Sequence, residues 1–345
     1  MPPRGEGRPG REAGWSGDPL ETQMIEDRSK DAACPEVDVL VATYNGERFL
    51  PELLDSLLQQ SHGRVNVIIG DDGSKDRTRE VVELHRPRFG RLEYHDFAAE
   101  ASHGACVNFS RLMVKAGSDY VMFCDQDDVW LPTKIERTLG LMRSVEAARG
   151  PDLPILVHTD LKVVDHDLAP LAESMWRAQG IDPGQTSVRR LIVENNVTGC
   201  TAMINRALLR LVGDIPPQAI MHDWWIAVAA ACFGTIAHLP EQTILYRQHG
   251  ANAIGAKTWG VEAIWRQMID VLSGQQAAAS VQKTIDQAGA FLGRYGDRMD
   301  DATRGLFSQY AAVKSMPKLA RKLFLIRNGL VKAKWQKSLG QILVT

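Results

Sequence analysis

At 345 residues and a formal net charge of −2, the chain has room for one large domain or two moderate ones and lacks the strongly basic balance of a nucleic-acid binder. Its longest apolar stretch, Trp224 to Ala237, is too short and alanine-rich to span a bilayer. Five widely spaced cysteines, Cys34, Cys106, Cys124, Cys200 and Cys232, form no CxxC pair and argue against both a disulfide scaffold and structural zinc.

In chain order, residues 1–33 are dense in Gly, Pro, Arg and Glu with few apolar anchors, a composition that predicts a disordered leader without the pattern of a secretory signal. From Val37 the pattern changes. Val37 to Ala42 reads as a strand, and Phe49, Leu50, Leu53, Leu54, Leu57 and Leu58 then recur at helical spacing. A strand over Val65 to Ile69 ends on Gly70-Asp71-Asp72-Gly73-Ser74, followed by a helix over Arg77 to His85. A strand from Leu92 to Phe97, a helix from Ala105 to Lys115 and a strand from Tyr120 to Cys124 complete a βαβαβαβ series. Such alternation predicts an α/β fold with a mainly parallel sheet, helices on both faces, and ligands at the carboxyl ends of the strands.

The second half is less regular. Ile155 to His158 reads as a strand, His222-Asp223-Trp224-Trp225 opens a helix through Phe233, and Ile236 to Leu239 and Ile244 to Tyr246 read as two closing strands. Beyond Gly255 only amphipathic helical segments are apparent, and no acidic residue follows Asp301. This divides the chain into the leader, a domain over 34–255 and a basic helical extension over 256–345. In that extension Lys318, Arg321, Lys322 and Arg327 interleave with Leu319, Leu323, Phe324, Leu325 and Ile326. Such a helix suits either an anionic membrane surface or packing on the domain.

The run Asp125-Gln126-Asp127-Asp128 carries the chemistry. Three carboxylates at a buried strand end repel one another unless a cation sits among them, and Mg²⁺ uses one or two carboxylates together with substrate phosphates. A solvated turn, or Asp127 or Asp128 capping a helix near Pro132, is the plainer alternative. Thr43-Tyr44-Asn45, Asp71-Asp72 and Asp125 to Asp128 all fall at predicted carboxyl ends, however, and this convergence favours a ligand site. Trp130 reads as core.

Val39-Leu40-Val41-Ala42-Thr43-Tyr44-Asn45-Gly46, Asp71-Asp72-Gly73-Ser74, the Asp125 to Trp130 motif, Asn195 to Cys200, His222-Asp223-Trp224-Trp225 and Tyr246 to His249 stand in an order that resembles family 2 glycosyltransferases. Gln126-Asp127-Asp128-Val129-Trp130 and Arg247-Gln248-His249-Gly250 are similar to the bacterial rhamnosyltransferase-like branch. The resemblance covers Val37 to Gly255. It implies a GT-A fold, a dTDP- or UDP-linked sugar donor, a divalent metal (Mg or Mn), inversion at the anomeric carbon, and a glycan or lipid-linked acceptor in polysaccharide synthesis. The cysteine usage predicts a reducing, cytoplasmic compartment, and the basic tail adds peripheral contact at the inner face of the plasma membrane as a further expectation. The competing class is a catalytically silent sugar-nucleotide-binding scaffold.

Position by position, the resemblance assigns Thr43, Tyr44, Asn45 and Glu47 to the donor nucleotide, with Asp71 accepting from a pyrimidine ring NH and Asp72 close by. It places Asp125 and Gln126 beside the donor, Asp127 on the metal, and His249 on the metal or the diphosphate, while Arg247 offers a fork for phosphate. Asp223 is the expected catalytic base, and the neighbouring His222 replaces the family's glutamate with its role open. Asp223 capping its helix is the structural alternative. Gly199 and its neighbours are expected to line the acceptor side. Asn196-Val197-Thr198 matches a glycosylation sequon that a cytoplasmic protein would not use.

Overall fold

A computed structural model describes residues 34–101, 104–248, 275–332, 338 and 341. The chain divides into two compact units, Met1–Pro35 and Glu36–Thr345, and every element below belongs to the second. The expected leader and His249 lie outside the described residues.

Five strands and four helices make up the first part: β1 (Val37–Thr43), α1 (Leu50–Leu58), β2 (Val65–Asp71), α2 (Thr78–His85), β3 (Arg91–Asp96), α3 (Ala105–Lys115), β4 (Tyr120–Asp125), the short β5 (Val129–Trp130) and α4 (Lys134–Arg149). β1 pairs in parallel with both β2 and β4, and β2 with β3. A strand flanked on both sides and covered on both faces needs mostly apolar residues, which the Val37 to Ala42 run supplies except at Asp38, whose buried carboxylate accepts from Asn66, Gly117 and Ser118. The period of two divides that run between two cores. Val37, Val39 and Val41 face α1, α2 and α4, together with Leu50, Leu53, Leu54, Val82, Ile135 and Leu139. Leu40 faces the opposite side with Phe109 and Leu112 of α3. Trp130 is buried, as its sequence context implies.

Beyond α4 come β6 (Ile155–Val164), β7 (Pro170–Ala172), α5 (Met175–Gln179), α6 (Val188–Leu191), β8 (Met203–Asn205), α7 (Arg206–Val212), α8 (His222–Phe233) and β9 (Thr235–Arg247). The nine-stranded sheet runs β3-β2-β1-β4-β8-β6-β9-β5, with β7 on β6. β8 is antiparallel to both β4 and β6, whereas β6 and β9 are again parallel. The sheet is therefore parallel in its first half and mixed thereafter. The two closing strands expected at Ile236 and Ile244 form one strand, because the β6 register slips from Thr159↔Leu239 to Asp160↔Gln242. That irregularity takes up Pro240, which has no N–H to give to a ladder.

The C-terminal helices α9 (Gln275–Tyr295), α10 (Asp301–Ala311) and α11 (Lys318–Arg327) join the same core as α8. Trp225 of α8 meets Phe291 of α9 edge-on at 4.9 Å, and Gln287 accepts from the Ile220 amide at 2.8 Å. The helical extension thus buttresses the helix that carries Asp223. Among the described residues no helix is long and apolar enough to cross a membrane.

Candidate active site

Register alone aligns the acidic edge. Thr43 stands opposite Asp71, Ala42 opposite Asp125, and Asp71 opposite Asp96, so four neighbouring strands end level with one another. The loops that follow are tied into one unit. The Gln126 amide oxygen accepts from Thr43 Oγ1 at 2.5 Å and from the Tyr44 amide at 2.9 Å, while Gln126 Nε2 donates to the Tyr44 carbonyl at 3.1 Å. Gln126 thereby holds Tyr44, whose ring is left 55% exposed at the rim of the cleft. A Cβ at Gly46 would lie 2.6 Å from both Gln126 Oε1 and Thr43 Oγ1, so this clip requires glycine there.

Asn45 and Glu47 join the β1 loop to the β2 loop. The Asn45 amide donates to Ser74 Oγ at 2.8 Å, and Asn45 Oδ1 accepts from the Lys75 amide at 2.9 Å. Glu47 accepts from the Arg77 amide at 3.0 Å, and its own amide donates to Asp76 at 3.0 Å. Asn45 sits in the left-handed region at φ 49°, a conformation its short polar side chain tolerates.

Asp71 is buried. Its Oδ1 accepts from Ser74 N (2.8 Å) and Ser74 Oγ (2.7 Å), and its Oδ2 from the Tyr94 hydroxyl (2.6 Å). A carboxylate has about four lone-pair positions, so it can still accept from a ligand while organising its loop. Asp72 turns the other way and accepts from the Gly104 amide at 2.5 Å, ahead of α3. Tyr94 is a site residue that sequence reasoning missed, because β3 marks it only as one of a strand's alternating positions.

Asp125, Asp127 and Asp128 diverge in environment. Asp128 is buried, accepts from the Arg247 amide at 3.3 Å and lies against the Cys200 thiol. Burial and the charges of Asp127 and Asp125 push its carboxyl well above the usual range. Asp125 is likewise pushed up to about 7, by burial first, then by Asp127 and Asp223. Asp128 does not cap α4, whose N-cap position is Thr133 without a side-chain cap bond.

Ligand atoms of Asp125, Asp128 and Cys200 all lie within 4.8 Å of one another. The donor set fits a hard cation through its carboxylates, each of which is shifted toward its neutral form by burial first and then by neighbouring negative charge. The Cys200 thiol fits poorly, since burial and the same carboxylates hold it protonated. Lys134, also buried, is lowered to about 8 by burial and sits over the Trp130 ring at 4.6 Å. Neither Cys200 as part of the acidic cluster nor Lys134 as its buried cation carries a local sequence signal.

Arg247 has a different place from the phosphate fork expected of it. Its side chain is 2% exposed. It pairs with Glu52, donates to the His166 and Asp127 carbonyls and lies over the Phe49 ring. The fork fastens the acidic loop to α1 and β9, so its planar donors face protein.

Asp223 lies in the first turn of α8, beyond the N-cap position Met221, and its carboxylate also accepts from the first-turn amide of Trp224. Its Oδ1 accepts from Asn195 Nδ2 at 3.2 Å and its Oδ2 from the Gly199 amide at 2.9 Å. Burial raises its carboxyl to about 6 against these bonds, which pull the other way. His222 points into the core, with its ring centroid 4.0 Å from that of Phe109 and 5.1 Å from that of Phe123. Burial lowers it to about 3, so the ring is neutral. Asn196 of the sequon is buried and donates to the Asp182 and Gln185 carbonyls, at 3.2 and 2.9 Å.

A Cβ at Gly199 would fall 2.7 Å from His222 Nε2 and 3.4 Å from the Asp223 Cβ. Gly199→Ala is expected to cost about 1–3 kcal/mol through overpacking and to displace Asp223 from its amide donor. Thermal denaturation checks the first effect, and a drop in transfer rate larger than the stability loss explains checks the second.

The glycosyl transferase family 2 model matches residues 38–210, and the chain belongs to that family. Its fold is the GT-A type: a parallel βαβ half bearing the acidic edge, continued through antiparallel β8 into the half that carries Asp223. Among relatives, the uncharacterized protein Rv1520 of Mycobacterium tuberculosis is 25% identical over 264 residues, 71% of each chain. The dTDP-rhamnosyl transferase RfbG of Shigella flexneri is 25% identical over 228 residues, 63% of this chain and 74% of that protein. Among solved structures, S. aureus TarS 1–349 in complex with UDP-GlcNAc matches with a TM-score of 0.50 and 18% identity, over 90% of both chains.

Proposed function

We propose that this chain is a metal-dependent, inverting glycosyltransferase of the rhamnosyltransferase-like branch. It takes a sugar from a dTDP- or UDP-linked donor and passes it to a glycan or lipid-linked saccharide in cell-surface polysaccharide synthesis on the cytoplasmic side. The observation that carries this reading is the convergence of carboxylates: Asp125, at the end of β4, is raised by burial, by Asp127 and by Asp223, which comes to it from α8. In this reading Asp125 belongs to the leaving-group side and Asp223 to the base side of one site, the arrangement that in-line displacement with inversion requires.

In this reading Tyr44, held by Gln126, offers a face for the pyrimidine, and the remaining acceptor position of Asp71 takes its ring NH. Asp127 would hold the divalent cation beside Asp125, with Asp128 within reach of the same ion and His249 as a further ligand. A cation held there would supply positive charge against the departing diphosphate. Asp223 takes the proton of the acceptor hydroxyl. Asn195 and the Gly199 amide fix its carboxylate in place. The Shigella flexneri relative, by name a dTDP-rhamnosyl transferase, makes dTDP-rhamnose the leading donor.

A donor screen tests the proposal. Purified protein is incubated with dTDP-rhamnose and a panel of UDP-sugars, with Mg²⁺ or Mn²⁺, and nucleotide release is followed. Slow hydrolysis of one donor above the buffer rate is the expected result. Tight binding of a donor without release from any of the panel, with and without oligosaccharide acceptors, would instead mark a silent binding subunit.

A further inference from the structure

Helix α11 has two faces, and only one of them is packed. Leu325 is buried in the core shared with α8, and Phe324 packs against that core. Arg321 lies on the same side and donates to the Lys314 and Met316 carbonyls, at 2.8 and 3.0 Å. On the other side Leu319, Leu323 and Ile326 recur one helical turn apart and are 72%, 49% and 57% exposed. Isolated exposed leucines are ordinary, but three aligned on a ten-residue helix make a stripe. At about 100° per residue, Lys322 and Arg327 fall roughly 70° to either side of that stripe, with Lys318 beyond Lys322.

The charge that α11 itself carries has one sign. No Asp or Glu occurs after Asp301, so nothing on α11 or in the turn before it neutralises Lys314, Lys318, Lys322 and Arg327. Long basic side chains flanking an apolar line can keep their charges in a headgroup layer while the line sinks below it. We propose that this face of α11 docks on an anionic lipid bilayer, with Leu319, Leu323 and Ile326 inserted at the headgroup boundary and Lys318, Lys322 and Arg327 on lipid phosphates.

The surface is mechanically joined to the cleft. Arg189 of α6 donates to the Asn328 carbonyl and side-chain oxygen, at 3.1 and 2.8 Å, and Arg190 donates to the Val331 carbonyl at 2.6 Å. The chain leaving α6 reaches Asn195 four residues after Leu191, and Asn195 donates to Asp223. A bilayer under α11 would therefore sit at a fixed position relative to the base. Docking itself requires neither donor nor metal, so it stands or falls apart from the proposed reaction.

Flotation of the full-length protein with phosphatidylcholine vesicles, with and without phosphatidylglycerol, tests the surface. Wild type is expected to float with the anionic vesicles at low salt and to be released as salt rises. A Lys318→Gln/Lys322→Gln/Arg327→Gln variant should lose about fivefold in partitioning per residue, on the order of 10²-fold together. Leu319→Ser/Leu323→Ser/Ile326→Ser should stay in the bottom fraction, with circular dichroism and a thermal melt showing it folded. Wild type failing to float at low salt, or the serine variant floating as wild type does, overturns the proposal. So does light scattering that shows a wild-type dimer reduced to monomer by the serine changes, since a second copy would then cover the stripe.

Discussion

Asp223→Asn is expected to lower transfer by roughly 10²- to 10⁴-fold, the contribution of a positioned general base, while donor affinity stays near wild type. The change keeps the shape of a side chain whose oxygens accept from Asn195 and Gly199, and it removes basicity. Burial raises the Asp223 carboxyl to about 6, so the base is protonated below that pH and free above it. Wild-type transfer should therefore climb as pH rises through about 6 and level off, and the asparagine variant should lack that limb. Initial rates over pH, with donor binding measured in parallel, check both statements. Transfer near the wild-type level would move the base elsewhere. His222 is poorly placed to replace it, packed between Phe109 and Phe123. Loss of the fold in the variant would mean that Asp223 serves α8 structurally, and a thermal melt separates that outcome from lost chemistry.

The βαβ series was legible because each signal is local: the Val37 run, the leucine spacing of α1 and the turn at Gly73 each fall within a few residues. The acidic edge was legible for a related reason, since parallel strands in register bring their carboxyl ends together. What escaped depends on distant partners. β8 is three residues long, too short for a periodic signal, yet it turns a parallel sheet into a mixed one. The break at Pro240 reads as a strand end, but a slip in the β6 ladder carries β9 past it. Residue types at the site were readable and their uses were not. Gln126 spends its amide on Tyr44, Tyr94 reaches Asp71 from another strand, and Arg247 clamps Glu52 and the acidic loop. Only tertiary structure brings Cys200 to Asp125 and Asp128.

Asp127→Ala is expected to remove the metal-dependent part of donor binding, by more than the roughly 10- to 100-fold that losing even an indirect metal partner costs. The reason is the crowding of negative charge. Asp125 and Asp128 are both raised by burial and by the Asp127 charge. A carboxyl whose folded pKa is raised contributes stability below its unfolded value, near 4, and loses it as pH climbs toward the folded value. Without a cation, the acidic loop should therefore become a growing liability between about pH 4 and pH 7. A bound divalent cation relieves the repulsion, so Mg²⁺ or Mn²⁺ should raise the melting temperature more at pH 8 than at pH 5. In Asp127→Ala that difference should shrink. Calorimetry of the donor in the presence of cation or chelator, with melts at the two pH values, gives every quantity needed. Wild-type donor affinity unchanged by chelator would take the metal out of the reaction and leave the three carboxylates to be explained by the Lys134 charge alone.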